Sequence, residues 1–98
     1  MKIIHLEKDD FQELIQKEEK VLVDFYANWC GPCKMLAPVL EEVKSDIRVI
    51  KVDTDEFGDL SRSYGVMTIP TLILFENGKE IKRNIGFVNV DELDEFLK

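Results

Sequence analysis

Apolar positions along the chain form short runs that alternate with segments of helical spacing, from Ile3 to the last residues. Continuous or alternating apolar runs of roughly four to eight residues indicate strands, whereas apolar residues three or four positions apart indicate one face of a helix. The two patterns predict the element order βαβαβαββα. The predicted strands lie near residues 3–6, 21–27, 47–52, 71–75 and 81–85, and a predicted helix follows the first, second, third and fifth strands.

Turn and capping signals add direction to this pattern. Asp10 and Asn89 each precede a glutamate by three residues, which is the spacing of a helix capping box. Asn77-Gly78 is a hairpin signal, so the last two strands should be antiparallel. Strands that are separated by a helix are expected to be parallel, with right-handed crossovers. The sequence therefore predicts an α/β fold, a single domain over residues 1–98, with a central mixed five-stranded sheet flanked by four helices.

Composition and charge mainly exclude nucleic acid and membrane as binding partners. The chain has 98 residues, of which 45% are hydrophobic and 34% are charged, the balance of a soluble globular domain. The net charge of -7 repels phosphate backbones and anionic lipids. No apolar run reaches the roughly 18 residues of a membrane-spanning helix, and the N-terminal segment lacks the apolar core of a signal peptide. We therefore expect a cytoplasmic protein that binds neither nucleic acid nor membrane.

The only two cysteines form a Cys-x-x-Cys motif, Cys30 and Cys33, where a buried strand gives way to a helix. Residues three apart share a helix face, so the two side chains come within reach of a disulfide. A ring closed over so few residues gains little loop-closure entropy, so the bridge is better suited to opening and closing than to stabilising the fold.

The helix start favours a thiolate, although its dipole contributes only roughly 0.3–1 kcal/mol, which is less than one pKa unit. Activation therefore also needs hydrogen bonds from free backbone N–H groups. We expect Cys30, nearer the helix start, to be the exposed nucleophile of low pKa. Cys33, one turn further, should be the buried resolving thiol.

Zinc binding is the alternative use of such a pair. Zinc takes four ligands, and only His5 and scattered carboxylates are available to complete the set. His5 lies in the first predicted strand and has no partner at the spacing of metal ligands. Redox chemistry is therefore favoured, and no metal site is expected.

Three segments resemble the thioredoxin family: Trp29-Cys30-Gly31-Pro32-Cys33-Lys34-Met35, Val23-Asp24-Phe25 and Ile69-Pro70-Thr71. The resemblance extends over essentially the whole chain. It implies a protein-disulfide reductase in which Cys30 attacks a disulfide of a client protein and Cys33 resolves the mixed disulfide. It also implies a monomer without a bound cofactor, re-reduced by a thioredoxin reductase that draws electrons from NADPH or ferredoxin.

The resemblance implies a docking surface for disulfide-containing client proteins around the cysteines. Pro70 would follow a cis peptide bond beside the pair, and the backbone just before it, at Thr68 and Ile69, would pair with an extended client segment. The other residues of this predicted surface are Trp29, Gly31, Pro32 and Gly86. From the residues alone, Trp29 and the glycines fit core packing and turns equally well.

Asp24 interrupts the apolar strand that leads to the cysteines. Burial raises the pKa of a carboxyl by up to about 3–5 units, so a buried Asp24 would remain protonated near neutral pH. It could then take the proton of Cys33, through a water molecule, as that thiol attacks the mixed disulfide. A solvent-facing Asp24 is the alternative. The resemblance places Lys51 beside Asp24, where it would tune the charge, whereas a lysine reaching to water also fits the strand.

Some positions depart from the commonest family pattern. Tyr26 stands where many members have Trp, Asn28 stands where an acidic residue is frequent, and Met67-Thr68 stands where a glycine is often found. We expect these positions to affect partner choice and redox potential but not the chemistry. The acidic clusters at 53–56 and 91–95 are expected to be solvated surface away from the motif.

Two other functions compete with a reductase. A disulfide isomerase or oxidase of the same fold is disfavoured by Gly31-Pro32 between the cysteines and by the missing export signal, because a strong oxidant needs a far more stabilised thiolate. A non-catalytic binding subunit of a larger enzyme is disfavoured by the intact cysteine pair.

Overall fold

Five strands and four helices follow one another in the predicted order. The structure, a computed structural model, describes residues 1–8 and 10–98. The elements are β1 (Lys2–His5), α1 (Phe11–Gln16), β2 (Lys20–Tyr26), α2 (Gly31–Glu42), β3 (Arg48–Asp53), α3 (Gly58–Ser63), β4 (Thr71–Glu76), β5 (Lys79–Ile85) and α4 (Val90–Phe96).

The strands form one mixed sheet in the order β1-β3-β2-β4-β5. β3 is parallel to both β1 and β2, whereas β4 is antiparallel to both β2 and β5. β2 is the middle strand, and its residues from Val21 to Phe25 are buried. A central strand is covered on both faces, which explains why the sequence of β2 is nearly continuously apolar.

The direction of β4 corrects one prediction. A helix separates β3 from β4, so the sequence predicts two parallel strands, but β4 runs antiparallel to β2 and therefore to β3. Helix length does not explain the difference, because α1 also has six residues and connects β1 to β2, which are both parallel to β3. The connection through α3 leaves the chain at the edge where β3 ends, and β4 starts there, with Thr71 paired to Phe25.

The helices cover both faces of the sheet. One core cluster joins buried side chains of α1, such as Phe11 and Ile15, to β-strand side chains and to Leu60 of α3. The opposite cluster joins Leu36 and Leu40 of α2 to Leu93 of α4. β2 contributes alternate residues to the two clusters, as the pleat of a strand requires.

Capping and turn signals are confirmed at the chain reversals. The Asn89 side chain accepts a hydrogen bond from the Glu92 N–H at 2.8 Å, and the Glu92 carboxylate accepts one from the Asn89 N–H at 2.9 Å. Asp10 caps α1 by accepting from two backbone N–H groups. Asn77 and Gly78 have φ angles of 50° and 82°, the left-handed conformation that a tight hairpin turn needs.

Removal of the α4 cap tests this account of the fold. We expect Asn89→Ala to lower the free energy of unfolding by about 1 kcal/mol, because one helix N–H group loses its acceptor. Asn89→Ser retains an acceptor and should stay within a few tenths of a kcal/mol of the parent by the same principle. Urea denaturation of the oxidised protein measures both, and an equal loss in the two variants would contradict the capping role.

Candidate active site around the cysteine pair

The cysteine pair lies where β2 passes into α2. Cys30 is the N-cap of α2, with an extended backbone at φ -86° and ψ 114°, and its sulfur accepts the Cys33 N–H at 3.2 Å. The two residues form a disulfide with their Cα atoms 5.2 Å apart. Pro32 lies in the first helical turn, where a backbone N–H is not needed. The local sequence thus places both cysteines at the N-terminus of α2.

Cys30 is not exposed in this oxidised state, contrary to the prediction. Its exposed fraction is 5%, close to the 4% of Cys33. The Cys30 sulfur lies 3.8 Å from the Ile69 carbonyl oxygen, and the side chains of Tyr26 and Ile69 pack against the pair. The loop before β4 therefore covers the sulfur that helix position alone would leave open.

The segment before β4 has the predicted conformation. The Ile69-Pro70 peptide bond is cis, which confirms the expectation for Pro70. The Gly86 N–H donates to the Pro70 carbonyl at 2.8 Å, and Gly86 has a φ of 99°, which favours glycine. Pro70 and Gly86, sixteen residues apart in the chain, are thus brought into direct contact.

Several large apolar side chains near these residues are exposed. The predicted Trp29 has an exposed fraction of 70%, and Gly31, Pro32 and Thr68 are also exposed. Sequence reasoning missed three further exposed side chains, which are Met67, Ile85 and Phe87. The sequence feature that points to these residues is their position next to predicted docking residues. Met67 precedes Thr68, and Ile85 and Phe87 flank Gly86.

The acidic segment 53–56 contacts the motif, so its predicted separation from the motif is wrong. Asp55 accepts the Trp29 indole N–H at 2.9 Å, and Asp53 accepts the Asn28 amide at 3.5 Å. β3 runs parallel to β2 and ends at the same edge of the sheet, which brings the residues after β3 to the residues after β2. The acidic residues of α4 are exposed, as expected.

Asp24 is buried, with an exposed fraction of 1%. Burial raises its pKa from 3.8 to about 6, and the nearby charge of Lys51 opposes this rise. The Lys51 ammonium nitrogen lies 3.8 Å from Oδ2 of Asp24, whereas Oδ1 has no hydrogen-bond partner among the described residues. Asp24 is therefore buried rather than facing solvent, but a pKa of about 6 leaves it mostly ionised at neutral pH, so the expectation that it remains protonated there is wrong.

Lys51 is the β3 neighbour of Asp24 in the sheet register. Its side chain is only 12% exposed, and its ammonium nitrogen lies 4.5 Å from the centre of the Tyr26 ring. The predicted proximity of Lys51 to Asp24 is therefore confirmed, and most of the Lys51 side chain is buried.

A small cavity lies between Lys51 and Cys33. Its volume is ≈ 120 Å³, and its lining includes Cys33, Lys51 and Tyr26. A cavity of this size has room for water molecules, and its otherwise largely apolar lining includes the polar residues Asn28, Lys34 and Lys51. It gives Cys33 a route to solvent on the side of Lys51, whereas Cys30 faces the Ile69 carbonyl.

Other candidate chemistries have little support in the described part of the chain. His5 packs edge-on against Tyr26, with the ring centres 6.4 Å apart. Within residues 1–8 and 10–98 no group of three or more potential metal ligands is assembled. Nor does any helix described there have the length and apolar character to span a membrane.

A disulfide that closes so small a ring at a helix start serves exchange rather than stability, the property that defines thiol–disulfide oxidoreductases. Comparison with known proteins narrows this class. A family model described as thioredoxin matches residues 2–98, and the chain belongs to the thioredoxin family.

Individual relatives agree with this assignment. A thioredoxin of Mycoplasmoides gallisepticum is 47% identical over 94 residues, which cover 93% of this chain and 94% of that protein. A bifunctional thioredoxin reductase/thioredoxin of Mycobacterium leprae is 48% identical over 80 residues, which cover 78% of this chain and 18% of that protein.

Solved structures give the same result. A mutant thioredoxin from Halobacterium salinarum superposes with a TM-score of 0.90 at 36% identity, over 97% of this chain and 87% of that one. The reduced thioredoxin pre-protein of Schistosoma mansoni gives 0.89 at 32% identity, over 99% and 96%. Family membership and the cysteine pair make this chain a thiol–disulfide oxidoreductase that reduces protein disulfides.

The pKa of Asp24 predicts a pH dependence of stability. The folded protein holds the Asp24 proton more tightly than the unfolded chain, with a pKa of about 6 against 3.8. The contribution of Asp24 is therefore most favourable below about pH 4 and is lost as the pH rises through about 6, a change of about 3 kcal/mol. We expect Asp24→Asn to gain about this much relative to the parent between pH 4 and pH 7.

Urea denaturation of the oxidised proteins across this pH range measures the difference between parent and variant. Asp94→Asn, at an exposed position of α4, is the matched control and should follow the parent within a few tenths of a kcal/mol. A difference between Asp24→Asn and the parent that stays constant with pH would contradict the raised pKa of Asp24.

Proposed function

We propose that Cys30 is the attacking thiol and Cys33 the resolving thiol. Cys30 is the N-cap of α2, and its sulfur accepts the Cys33 N–H, a contact that stabilises the negative charge of a thiolate. Cys33 lies one turn inside the helix and borders the cavity. The position of the Cys30 sulfur at the helix start is the observation that carries the assignment.

The proposed reaction transfers two electrons to the client. The Cys30 thiolate attacks one sulfur of the client disulfide, the client S–S bond breaks, and the first client thiolate leaves as a Cys30–client disulfide forms. The Cys33 thiolate then attacks the Cys30 sulfur and displaces the second client thiolate. The client is reduced to a dithiol, and the Cys30–Cys33 disulfide remains.

Asp24 is the proposed acceptor of the Cys33 proton. A carboxyl group with a pKa of about 6 is mostly ionised at neutral pH and still basic enough to take a proton in the resolving step. The cavity beside Cys33 and Lys51 supports transfer through water. Lys51 lies 3.8 Å from the carboxylate and would stabilise its negative charge until the proton arrives.

The client is proposed to dock on the exposed face around the disulfide. This docking face consists of the exposed residues Trp29, Gly31, Pro32 and Thr68, the partly exposed Ile69 and Gly86, and the buried Pro70. The Ile69 carbonyl, 3.8 Å from the Cys30 sulfur, supports backbone pairing with an extended client segment beside the attacked bond. The Asp55 carboxylate fixes the Trp29 indole through a 2.9 Å hydrogen bond, which limits the side-chain entropy lost when a client binds.

Disulfide-containing proteins are the proposed clients, and a thioredoxin reductase using NADPH or ferredoxin is the proposed electron donor. The name of the Mycobacterium leprae relative, which joins a thioredoxin reductase to a thioredoxin, supports such a donor. No bound cofactor is required, because the two sulfur atoms themselves carry the two electrons. The proposed setting is a cytoplasmic monomer, whose net charge of -7 opposes self-association.

Trapping of the mixed disulfide tests the order of the two thiols. With reduced Cys33→Ser, the first step proceeds and the second does not, so a stable Cys30–client disulfide should accumulate with an oxidised client such as insulin. Non-reducing gel electrophoresis measures it. Cys30→Ser is the matched control and should trap at least about tenfold less. Equal trapping by both variants would overturn the assignment.

The reduction potential separates a reductase from an isomerase or oxidase. We expect the Cys30–Cys33 couple to lie below that of glutathione, near the value of about -270 mV that thioredoxins have. Equilibration against glutathione and dithiothreitol buffers, with thiols trapped by alkylation, measures it. A value near or above about -180 mV would identify an isomerase or oxidase instead.

A further inference from the structure

The ring of Tyr26 borders the ammonium group of Lys51. Tyr26 is the last residue of β2 and lies two positions beyond Asp24, so the two side chains project from the same face of the sheet. The Lys51 nitrogen is 4.5 Å from the Tyr26 ring centre and 3.8 Å from Oδ2 of Asp24. The ammonium group therefore lies between a carboxyl and an aromatic face, which attracts a cation.

Neighbouring strands hold this ring in place. His5 of β1 packs edge-on against it, and the sheet register aligns His5 with Lys51 and Lys51 with Asp24. The backbone of Tyr26 is fixed as well, because its carbonyl accepts the N–H of Thr54 at 2.8 Å and the hydroxyl of Thr54 at 3.1 Å. The ring thus has a defined position relative to the strand that carries Lys51.

We propose that Tyr26 is a positioning residue whose ring holds the Lys51 ammonium group beside the Asp24 carboxyl. The family resemblance of the sequence implies no part for Tyr26 in the chemistry, because Tyr26 only stands where many members have Trp. The contacts give it one, because Tyr26 also lines the cavity between Lys51 and Cys33. The consequence for turnover rests on the proposed role of Asp24 as proton acceptor.

Removal of the Tyr26 ring should change the pKa of Asp24, because a lysine side chain is flexible. Without an aromatic wall, the ammonium group is free to turn into the open cavity and gain water, because a lysine ammonium is strongly hydrated. Asp24 then loses the positive charge that opposes the rise of its pKa. Loss of the ring should therefore raise the pKa of Asp24 further, so that the carboxyl keeps its proton to a higher pH.

Other titratable groups lie close to this cluster. Asp53 and Glu56 raise the pKa of Tyr26, after the larger effect of burial and together with Asp24. His5 of β1 contacts the ring, and Lys34 of α2 lines the cavity. The Tyr26 phenol thus stays neutral across the range in which Asp24 titrates, so its ring acts on Lys51 without a charge change of its own.

A double-mutant titration tests the proposal in the oxidised protein, where no thiol titrates. The Asp24 carboxyl is followed by carbon NMR in Tyr26→Leu and Tyr26→Phe, each alone and combined with Lys51→Met. We expect Tyr26→Leu to raise the Asp24 midpoint by about half a pH unit, or about threefold in proton affinity, and Tyr26→Phe to leave it unchanged. With Lys51→Met, Tyr26→Leu should cause no further shift.

Equal shifts in the two lysine backgrounds would show a general change in solvation and would overturn the proposal, as would no shift or a downward shift with Tyr26→Leu. Tyr26→Val gives a second ringless variant if Tyr26→Leu does not fold. The pH profile of mixed-disulfide resolution separates this inference from the proposed function. A shifted Asp24 midpoint without a matching shift in that profile would disprove proton transfer to Asp24 and leave the positioning role intact.

Discussion

The burial of β2 between β3 and β4 is the constraint on which the rest of the site depends. Residues Val21 to Phe25 are buried. This burial fixes both the pairing register of β2 and the face of the sheet on which each of its side chains lies. A slip by one residue would turn Asp24 to the opposite face of the sheet and shift Cys30 relative to the Ile69 carbonyl before β4. The positions of the cysteine pair and of the carboxyl therefore both depend on this central buried strand.

Within that strand, Asp24 is a local conflict between stability and chemistry. An ionised carboxyl with a free oxygen in a buried strand opposes folding, and an apolar residue there would suit the core better. The same desolvation brings its pKa to about 6, within reach of neutral pH. Residues that disfavour folding yet match a chemical need are characteristic of functional sites.

The sequence predicts local features and the order of elements well, because caps, turns and apolar periodicity depend on neighbours in the chain. The Asn89 capping box and the Asn77-Gly78 turn are of this kind. It fails where the outcome depends on how distant segments meet. The direction of β4, the cover that Ile69 gives to Cys30, and the contact of Asp55 with Trp29 all follow from which strands end at one edge of the sheet. Burial of Asp24 was open for the same reason, since a single polar residue in an apolar run does not reveal which side chains surround it.

The two sulfur atoms face different surroundings, which fits the proposed division between client recognition at Cys30 and proton transfer at Cys33. Cys30 lies against the Ile69 carbonyl, on the side where the exposed apolar residues are found. Cys33 borders the cavity that leads to Lys51, beside the buried Asp24. A client that covers the exposed side excludes water from the attacked bond without closing the cavity route. The short helical spacing of the pair is thus compatible with the proposed division, in which Cys30 meets the client surface while Cys33 borders the cavity shared with Lys51.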